Sequence, residues 1–151
     1  MIAICRMELP APSLELLQSD AKAEGYGFIV RLVREWESGV NRFQEPGEIL
    51  FGHLEEGRLV AIGGLNCDPF AARPEIGRIR RVYVRPAWRK KGIGRALVSA
   101  LIEEARKSFD SVRLRTKNPE AARLYESLGF AVIACPDATH ILYFSPHDQA
   151  R

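Results

Sequence analysis

A short basic segment near the middle of the 151-residue chain combines residue types and spacing that suit anion binding. No acidic residue interrupts its cationic side chains, which are Arg85, Arg89, Lys90, Lys91 and Arg95. Gly92 and Gly94 lie among them, where a missing side chain would let a phosphate approach the backbone. A strand-like run precedes the segment and a helical run follows it, so free N–H groups at the helix start add partial positive charge. The chemistry predicted here is phosphate binding.

Two familiar phosphate fingerprints do not fit this segment. It contains neither G-x-G-x-x-G, which binds dinucleotides, nor G-x-x-x-x-G-K-[ST], which binds nucleoside triphosphates. We therefore expect a different phosphate-bearing ligand.

Two motifs follow one another in this part of the chain. The first is Arg89-x-x-Gly92-x-Gly94, directly after the strand-like run 82–86. The second is R-T-x-N-x-x-A-x-x-L-Y-x-x-L-G-F over residues 115–130. In this order and spacing they resemble the acetyl-CoA signature [RQ]-x-x-G-x-[GA] and the second cofactor and catalytic segment of the GNAT superfamily of N-acetyltransferases. The good match covers residues 76–130.

The resemblance implies that acetyl-CoA is the acyl donor and that no metal takes part. It implies that the backbone of Val82 and Val84 binds the pantetheine arm and that Asn118 contacts the same arm. Backbone N–H groups of residues 91–95 are expected to hold the pyrophosphate. The residues so predicted to bind the cofactor around the glycines are Arg89, Lys90, Lys91, Gly92, Ile93, Gly94 and Arg95.

Acyl transfer to an amine needs a neutral nucleophile, a donor to the developing oxyanion and a partner for the departing thiolate. The resemblance implies a backbone N–H near Val82 as the oxyanion donor and Tyr125 as the residue that faces the sulfur. A phenol of pKa ~10 and a thiol of ~8.5 favour hydrogen bonding over complete proton transfer. Helical spacing alone would instead make Tyr125 a core aromatic residue.

The general base stays open at this point. Many family members carry a glutamate at the position where this chain has Arg78, so the candidates are Glu75, three residues earlier, then His140, and otherwise bulk water. Arg78, Arg80 and Arg81 also raise the hypothesis that the acceptor carries a carboxylate or a phosphate. The alternative is that they are solvated strand arginines.

The elements that must position these residues can be predicted from periodicity. Helices are predicted over residues 13–25, with Ser13 as N-cap, and over residues 27–38, ended by Gly39. Strands are predicted at 48–54 and 58–65 around a turn, and residues 66–74 form a loop. A strand at 78–84, a helix at 92–107 and a strand at 111–116 then form a parallel βαβ unit.

A last helix is predicted to begin at Asn118, as N-cap before Pro119, and to end before Gly129. Two further strands follow at 131–134 and 140–145. The fold class is α/β with a mixed sheet. The resemblance implies the GNAT-like acyl-CoA N-acyltransferase fold, in which a mixed central sheet with a splayed parallel strand pair is flanked by about four helices.

Composition indicates one globular domain over residues 1–151, with 46% apolar and 27% charged residues. The net charge of +3 is too small to predict a nucleic-acid partner. The three cysteines form no C-x-x-C pair, and no apolar run approaches the ~20 residues of a membrane span. We expect free thiols, a cytoplasmic protein and no membrane partner.

The predicted function is transfer of an acetyl group from acetyl-CoA to a primary amine of a small molecule or peptide, by direct attack in a ternary complex. One alternative is an acetyltransferase that modifies a macromolecule, such as aminoacyl-tRNA or a protein. Another is a non-catalytic module that senses acyl-CoA, which the missing glutamate would favour. The family resemblance is compatible with a homodimer.

Overall fold

A computed structural model describes residues 2–145 of the chain. They form one seven-stranded sheet in the order β1-β2-β3-β4-β5-β7-β6. The strands are β1 (Cys5–Arg6), β2 (Ile49–Glu55), β3 (Arg58–Cys67), β4 (Ile76–Val84), β5 (Ser111–Leu114), β6 (Ala131–Cys135) and β7 (Ala138–Tyr143). The helices are α1 (Leu14–Ala23), α2 (Phe28–Ser38), α3 (Ile93–Ser108) and α4 (Pro119–Ser127), with a short 3₁₀ turn at Pro86–Trp88.

The sheet is mixed, and its one parallel pair separates along its length. β4 and β5 pair from Ile76 with Ser111 to Arg78 with Arg113, whereas every other neighbouring pair is antiparallel. β4 continues to Val84 without β5 beside it. The predicted α/β class, the βαβ unit and the splayed parallel pair are thus confirmed.

Two hydrophobic clusters cover the two faces of the sheet. The stripe of α3, including Leu97, Val98 and Leu101, packs on one face together with Tyr125 of α4. Helices α1 and α2 pack on the other face, through buried residues such as Leu17. The cleft between the separating ends of β4 and β5 therefore has α3 and α4 on one side and α1 and α2 on the other. No helix within residues 2–145 is long and apolar enough to span a bilayer.

Two helix starts illustrate how local sequence sets these boundaries. Asn118 caps α4 as predicted, because its Oδ1 accepts hydrogen bonds from the N–H groups of Glu120 and Ala121 at 2.8 and 3.2 Å. The predicted capping by Ser13 is wrong. Ser13 has φ of 61° in the left-handed region, and its side chain makes no capping hydrogen bond, whereas a capping serine has extended backbone angles.

Some strand boundaries also differ from the predictions. The two-residue β1, which pairs with Gly52 and Phe51, was not predicted, because so short a strand has no periodicity to detect. β5 ends at Leu114 rather than at residue 116, since the chain leaves the sheet there on its way to α4. β7 begins at Ala138, two residues before its predicted start.

Candidate active site

The loop before α3 has the backbone shape of an anion-binding turn. Lys90 and Gly92 have φ of 63° and 86°, and Gly92 is the N-cap of α3. The first helical hydrogen bond of α3 runs from the Ala96 N–H to the Gly92 carbonyl at 3.0 Å. The N–H groups of the first residues of α3, among them Ile93 and Gly94, therefore need partners from outside the helix, and left-handed turns of this kind direct such groups to one point.

Packing around this helix start would accept a Cβ atom at Gly94. A Cβ atom at Gly94 would meet only Leu124 and Val84, both at an ordinary 3.7 Å, so packing within the protein does not require a glycine there. Lys90 and Lys91 are exposed, and neither forms an ion pair within residues 2–145. The predicted phosphate site therefore has free charge, free N–H groups and a backbone that a ligand can approach.

Arg89, which the signature assigns to this site, is hydrogen-bonded to Glu24 at the end of α1 and to the backbone of β4. Its Nη1 and Nη2 donate to the Glu24 carboxylate at 2.8 and 2.6 Å, and its Nε donates to the Val84 carbonyl at 2.9 Å. The Tyr83 hydroxyl donates to the same carboxylate, and Arg89 lies 5.3 Å from the Tyr83 ring centroid. The Arg89 hydrogen bonds are the main cause of a lowered pKa at Glu24. A second pair, Arg85 with Asp20 at 2.6 Å, also joins this loop to α1.

A β-bulge lies in the part of β4 that has separated from β5. Ile62 pairs with Tyr83 and Gly64 with Arg80, so Gly63 of β3 faces both Arg81 and Val82. Arg81 has φ of 60°, which places the extra residue in the left-handed region. A bulge leaves ladder groups unpaired, and it does so beside Val82, near which the resemblance places the backbone N–H that donates to the oxyanion.

Asn118 lies across the cleft from the start of α2. Its Nδ2 donates to the Tyr26 hydroxyl at 3.4 Å, while its Oδ1 caps α4. Tyr26 in turn packs against Phe28 and Tyr83, with ring centroids 5.4 and 6.2 Å away. The cleft between β4 and β5 is thereby bridged by an amide on one side and an aromatic cluster on the other.

Tyr125 lies inside α4 and faces the core cluster that supports β4 and β5. Its side chain is 6% exposed and packs on Phe130 and His140, at ring centroid distances of 5.8 and 6.4 Å. Burial raises the pKa of Tyr125 to about 12, so the phenol is protonated at neutral pH. A protonated phenol can donate a hydrogen bond to an anionic sulfur.

His140, a candidate base, has both ring nitrogens engaged. Nε2 contacts the Glu126 carboxylate at 2.9 Å and Nδ1 contacts the Thr139 hydroxyl at 2.8 Å. The residue is 4% exposed and pairs with Leu114 at the end of β5. It lies next to Tyr125 as a buried, hydrogen-bonded residue of the sheet.

Glu75, the other candidate base, directly precedes β4 at the end where β4 and β5 are still paired. Its carbonyl accepts from the Asp110 N–H at 2.8 Å and its carboxylate lies 3.6 Å from Arg73. Val82 is seven residues further along the strand, about 20 Å at ~3.3 Å per residue when the extra residue of the bulge adds no length. Glu75 and the separated end of β4 thus lie at opposite ends of the strand.

Arg78 occupies the position at which many family members have a glutamate, and it is part of a buried charge network. Asp68, with a fully buried side chain, contacts Arg78 Nη1 at 3.3 Å and Arg113 Nε at 2.8 Å. The Asp68 hydrogen bond is the main cause of a raised pKa at Arg113. Arg78 also donates to the Asp137 carbonyl at 2.6 Å. Both carboxylate oxygens of Asp68 therefore have partners within the protein, since Oδ2 contacts the two arginines and Oδ1 accepts from the Phe70 N–H at 2.8 Å.

A cavity of about 550 Å³ opens on the α2 side of β4. It lies between the chain that follows α2 and the loop that follows β3. Its lining includes Glu35, Asn41, Glu48, Asn66, Phe70 and Arg80. Asn41 and Asn66 close one wall through reciprocal amide hydrogen bonds of 3.0 and 2.9 Å.

Three features of this region were not predicted from the sequence. They are the bulge at Arg81, the pairing of Glu24 with Arg89, and the placement of Asp68 between two arginines. The last two join residues 65 and 45 positions apart, and no local pattern signals such contacts. The high number of arginines in β4 was the one sequence feature that pointed to an unusual arrangement of charges in this region.

The chain belongs to the acetyltransferase (GNAT) family, whose model matches residues 13–130. It is 30% identical over 131 residues to mycothiol acetyltransferase of Clavibacter michiganensis, an alignment that covers 80% of this chain and 42% of the relative. It is 46% identical over 56 residues to the L-methionine sulfoximine/L-methionine sulfone acetyltransferase of Salmonella typhimurium, covering 35% of this chain and 33% of the relative. Alignments with curated relatives span 22% to 42% of the length of those relatives.

Solved structures agree with this assignment. A chain described as an acetyltransferase from Exiguobacterium sp. 255-15 superposes with a TM-score of 0.85 at 29% identity, covering 95% of this chain and 93% of that one. A structure described as a streptothricin acetyltransferase from Bacillus anthracis, in complex with acetyl coenzyme A, has a TM-score of 0.57 at 19% identity. That match covers 67% of this chain and 65% of the other, and it supports the fold alone.

Proposed function

We propose that this chain is an acetyl-CoA-dependent N-acetyltransferase that transfers the acetyl group to a primary amine of a small molecule or peptide. The observation that carries the proposal is the helix start at Gly92–Gly94, whose first N–H groups have no partner within the helix and which follows the end of β4 that β5 leaves unpaired. Phosphate would meet free N–H groups there, with Lys90 and Lys91 nearby. The family membership and the small-molecule acceptors named for two relatives support this proposal.

Binding of the donor would use both the loop and the separated strand. The pyrophosphate would lie against the N–H groups of residues 91–95, with Arg95 fixed to Ser127 at 2.8 Å beside it. The amide groups of the pantetheine arm would pair with the backbone of Val82 and Val84, which β5 leaves open. Asn118 Nδ2 would face the same arm. Arg89, held by Glu24, would fix the loop and add to its positive potential.

Transfer would proceed by direct attack of the amine on the thioester carbonyl. The N–H at the bulge, near Val82, would donate to the developing oxyanion, where a fixed donor stabilises the transition state. Tyr125 would donate a hydrogen bond to the departing thiolate, as the raised pKa of its phenol favours donation over ionisation. The N–H near Val82 would thus stabilise the negative charge on the carbonyl oxygen, and Tyr125 would stabilise the negative charge on the sulfur as the thiolate leaves.

Removal of the amine proton is assigned to water in this proposal. His140 has both nitrogens engaged, and Glu75 precedes the paired end of β4. Glu75 acting through a chain of waters stays a prediction, tested by the variant Glu75→Gln. Loss of the acidic limb of the pH profile in that variant would assign the base to Glu75.

The experiment is thiol release from acetyl-CoA on addition of pooled primary amines and amino acids. Release with at least one pool, and none without amine, is the expected result. Binding of acetyl-CoA without release from any pool would contradict small-amine transfer. It would favour a macromolecular acceptor or a binding module, which the same assay with RNA and protein N-termini then separates.

We also propose a cytoplasmic setting, in keeping with the free Cys5, Cys67 and Cys135.

A further inference from the structure

Arg80 lines the 550 Å³ cavity without a partner for its charge. Within the described part of the chain its guanidinium forms no hydrogen bond and no ion pair, unlike that of Arg78, Arg81 or Arg113. The residue is half-buried, and burial followed by the charge of Arg81 lowers its pKa. A half-buried guanidinium without a hydrogen-bonded carboxylate is costly for the fold, which makes Arg80 a candidate for binding an anionic ligand.

The bulge in β4 concentrates positive charge on this face of the sheet. Ile79 and Val82 pack against the α3 side, whereas Tyr83 packs against the α1 and α2 side. Without an extra residue Arg81 would face α3, but it reaches Glu35 of α2 at 3.2 Å. Arg80 and Arg81 therefore both face the α2 side, and the buried Arg81 Nε has no partner within residues 2–145.

Glu35 lines the same cavity, and only one of its two carboxylate oxygens accepts a hydrogen bond within the described residues. Glu35 contacts Arg81 through Oε1, while its Oε2 makes no hydrogen bond in the described part of the chain. Its side chain is 30% exposed and its charge acts on Arg80. Glu48, by contrast, accepts hydrogen bonds from the N–H groups of Cys67 and Glu45. The cavity is thus lined by a guanidinium that makes no hydrogen bond within residues 2–145 and by a carboxylate with one free oxygen.

We propose that this cavity is the acceptor site and that it takes an α-amino acid, with the acceptor carboxylate bound by Arg80 and its amine directed by Glu35. The inference rests on the proposed acetyl transfer and narrows its acceptor class. Arg80 and Val82 flank the extra residue of the bulge, so they lie within about 7 Å of each other along the strand at ~3.3 Å per residue. An amine held between Arg80 and the bulge would lie next to the thioester carbonyl. A guanidinium suits a carboxylate because it can donate two parallel hydrogen bonds.

The first test measures binding without turnover. The protein is saturated with coenzyme A, which has no acyl group to transfer, and is titrated with the common L-amino acids and with the amide of each. We expect at least one amino acid to bind about 30-fold more tightly than its amide, as for a charge-assisted hydrogen bond. Equal binding of every acid and amide pair, or no binding at all, would overturn the inference.

Variants then assign the preference to Arg80. Arg80→Gln is expected to abolish the difference between acid and amide, and Arg80→Lys to keep part of it, because an ammonium retains charge but loses the paired geometry. Arg58→Gln, which removes an exposed arginine at the far end of β3, is the matched control and should keep the whole difference. Unchanged coenzyme A affinity would show that each variant is folded.

Titration with two further ligands distinguishes an amino acid from other classes of acceptor. Phosphoethanolamine bound more tightly than any amino acid, and weakened by Arg80→Gln, would replace the carboxylate by a phosphate and overturn the inference. Tighter binding of a polyamine would also overturn it. Thiol release from acetyl-CoA is measured separately. Release that occurs equally with amino acids and their amides would keep the proposed function and reject this acceptor class. Selective binding without release would reject the proposed transfer, and with it the role of acceptor, and would leave Arg80 as part of an amino-acid-binding site.

Discussion

Glu24 at the end of α1 holds Arg89 of the cofactor signature by two hydrogen bonds of 2.8 and 2.6 Å. The arginine of the signature is therefore turned toward α1, on the α1 and α2 side of the sheet. The same guanidinium binds the Val84 carbonyl and lies over the Tyr83 ring. α1 and the phosphate loop are thus joined through one ion pair, and the pair of Arg85 with Asp20 reinforces the connection.

The first prediction concerns the coupling between these two residues. Glu24→Gln and Arg89→Gln should each lower the free energy of unfolding by about 1 kcal/mol, and the double variant should lose little more than either single one. The reason is that either substitution removes the same two-pronged contact. Urea unfolding of the four proteins measures this cycle. Lys107→Gln, which breaks an exposed pair with Glu104, is the control; full additivity of the two losses would contradict the coupling.

The second prediction is the pH dependence of that contact. The pKa of Glu24 is lowered from 4.5, mainly by the Arg89 hydrogen bonds, so folding favours its ionised form. Its contribution to stability is present above about pH 4.5 and is lost as the pH falls through the lowered pKa. At pH 7 the melting temperature of wild type should therefore be higher than that of Glu24→Gln, and the two melting temperatures should converge below pH 4.5. A gap that persists unchanged at pH 3 would contradict the linkage.

A third prediction concerns Tyr125. Tyr125→Phe should reduce kcat about 100-fold, because general acid and hydrogen-bond assistance to a leaving group contributes on that scale, while the affinity for acetyl-CoA stays within twofold. Because the pKa of Tyr125 is about 12, its ionisation should cause no loss of activity below pH 11. Tyr143→Phe, at a residue 73% exposed, is the control. Wild-type kcat in Tyr125→Phe at every pH would exclude the role.

The fourth prediction concerns the buried carboxylate. Asp68→Asn should lower the free energy of unfolding by about 3 kcal/mol, because it leaves Arg78 buried without a carboxylate partner among residues 2–145 and leaves Arg113 with Asp137 alone. Equilibrium unfolding in urea measures it. Glu103→Gln, which removes a 67% exposed partner of Arg106, should change stability by less than about 0.5 kcal/mol. A similarly small loss in Asp68→Asn would mean that the network is not stabilising.

Much of the fold could be predicted because its main elements have strong local patterns. The apolar stripe of α3 and the capping of α4 by Asn118 depend on residues close in sequence, and both are present. The turn at Glu56 and Gly57 has the positive φ angles, 52° and 77°, that hairpin turns need. Because the sequence predicts a helix between β4 and β5, it also predicts that these two neighbouring strands are parallel.

The parts that could not be predicted depend on contacts between distant residues. Periodicity does not show that β4 carries an extra residue, so the orientation of Arg81 could not be derived from alternation. Ser13 has the residue type of a cap, but its left-handed backbone is set by the path of the chain before α1. The distance between Glu75 and Val82 became clear only from the register of β4 and β5.

Calorimetric titration of acetyl-CoA tests the central claim most directly when wild type is compared with Gly94→Val. A Cβ atom at Gly94 would make only ordinary contacts, with Leu124 and Val84 at 3.7 Å, and thermal unfolding first checks that the valine variant is folded. The folded variant should bind acetyl-CoA at least tenfold more weakly, because its side chain would stand where the pyrophosphate approaches the backbone. Gly27→Val, at a helix start where a Cβ meets nothing within 4 Å, should bind as wild type does. Absence of binding to wild type, or equal binding to Gly94→Val, would contradict a phosphate site at the start of α3.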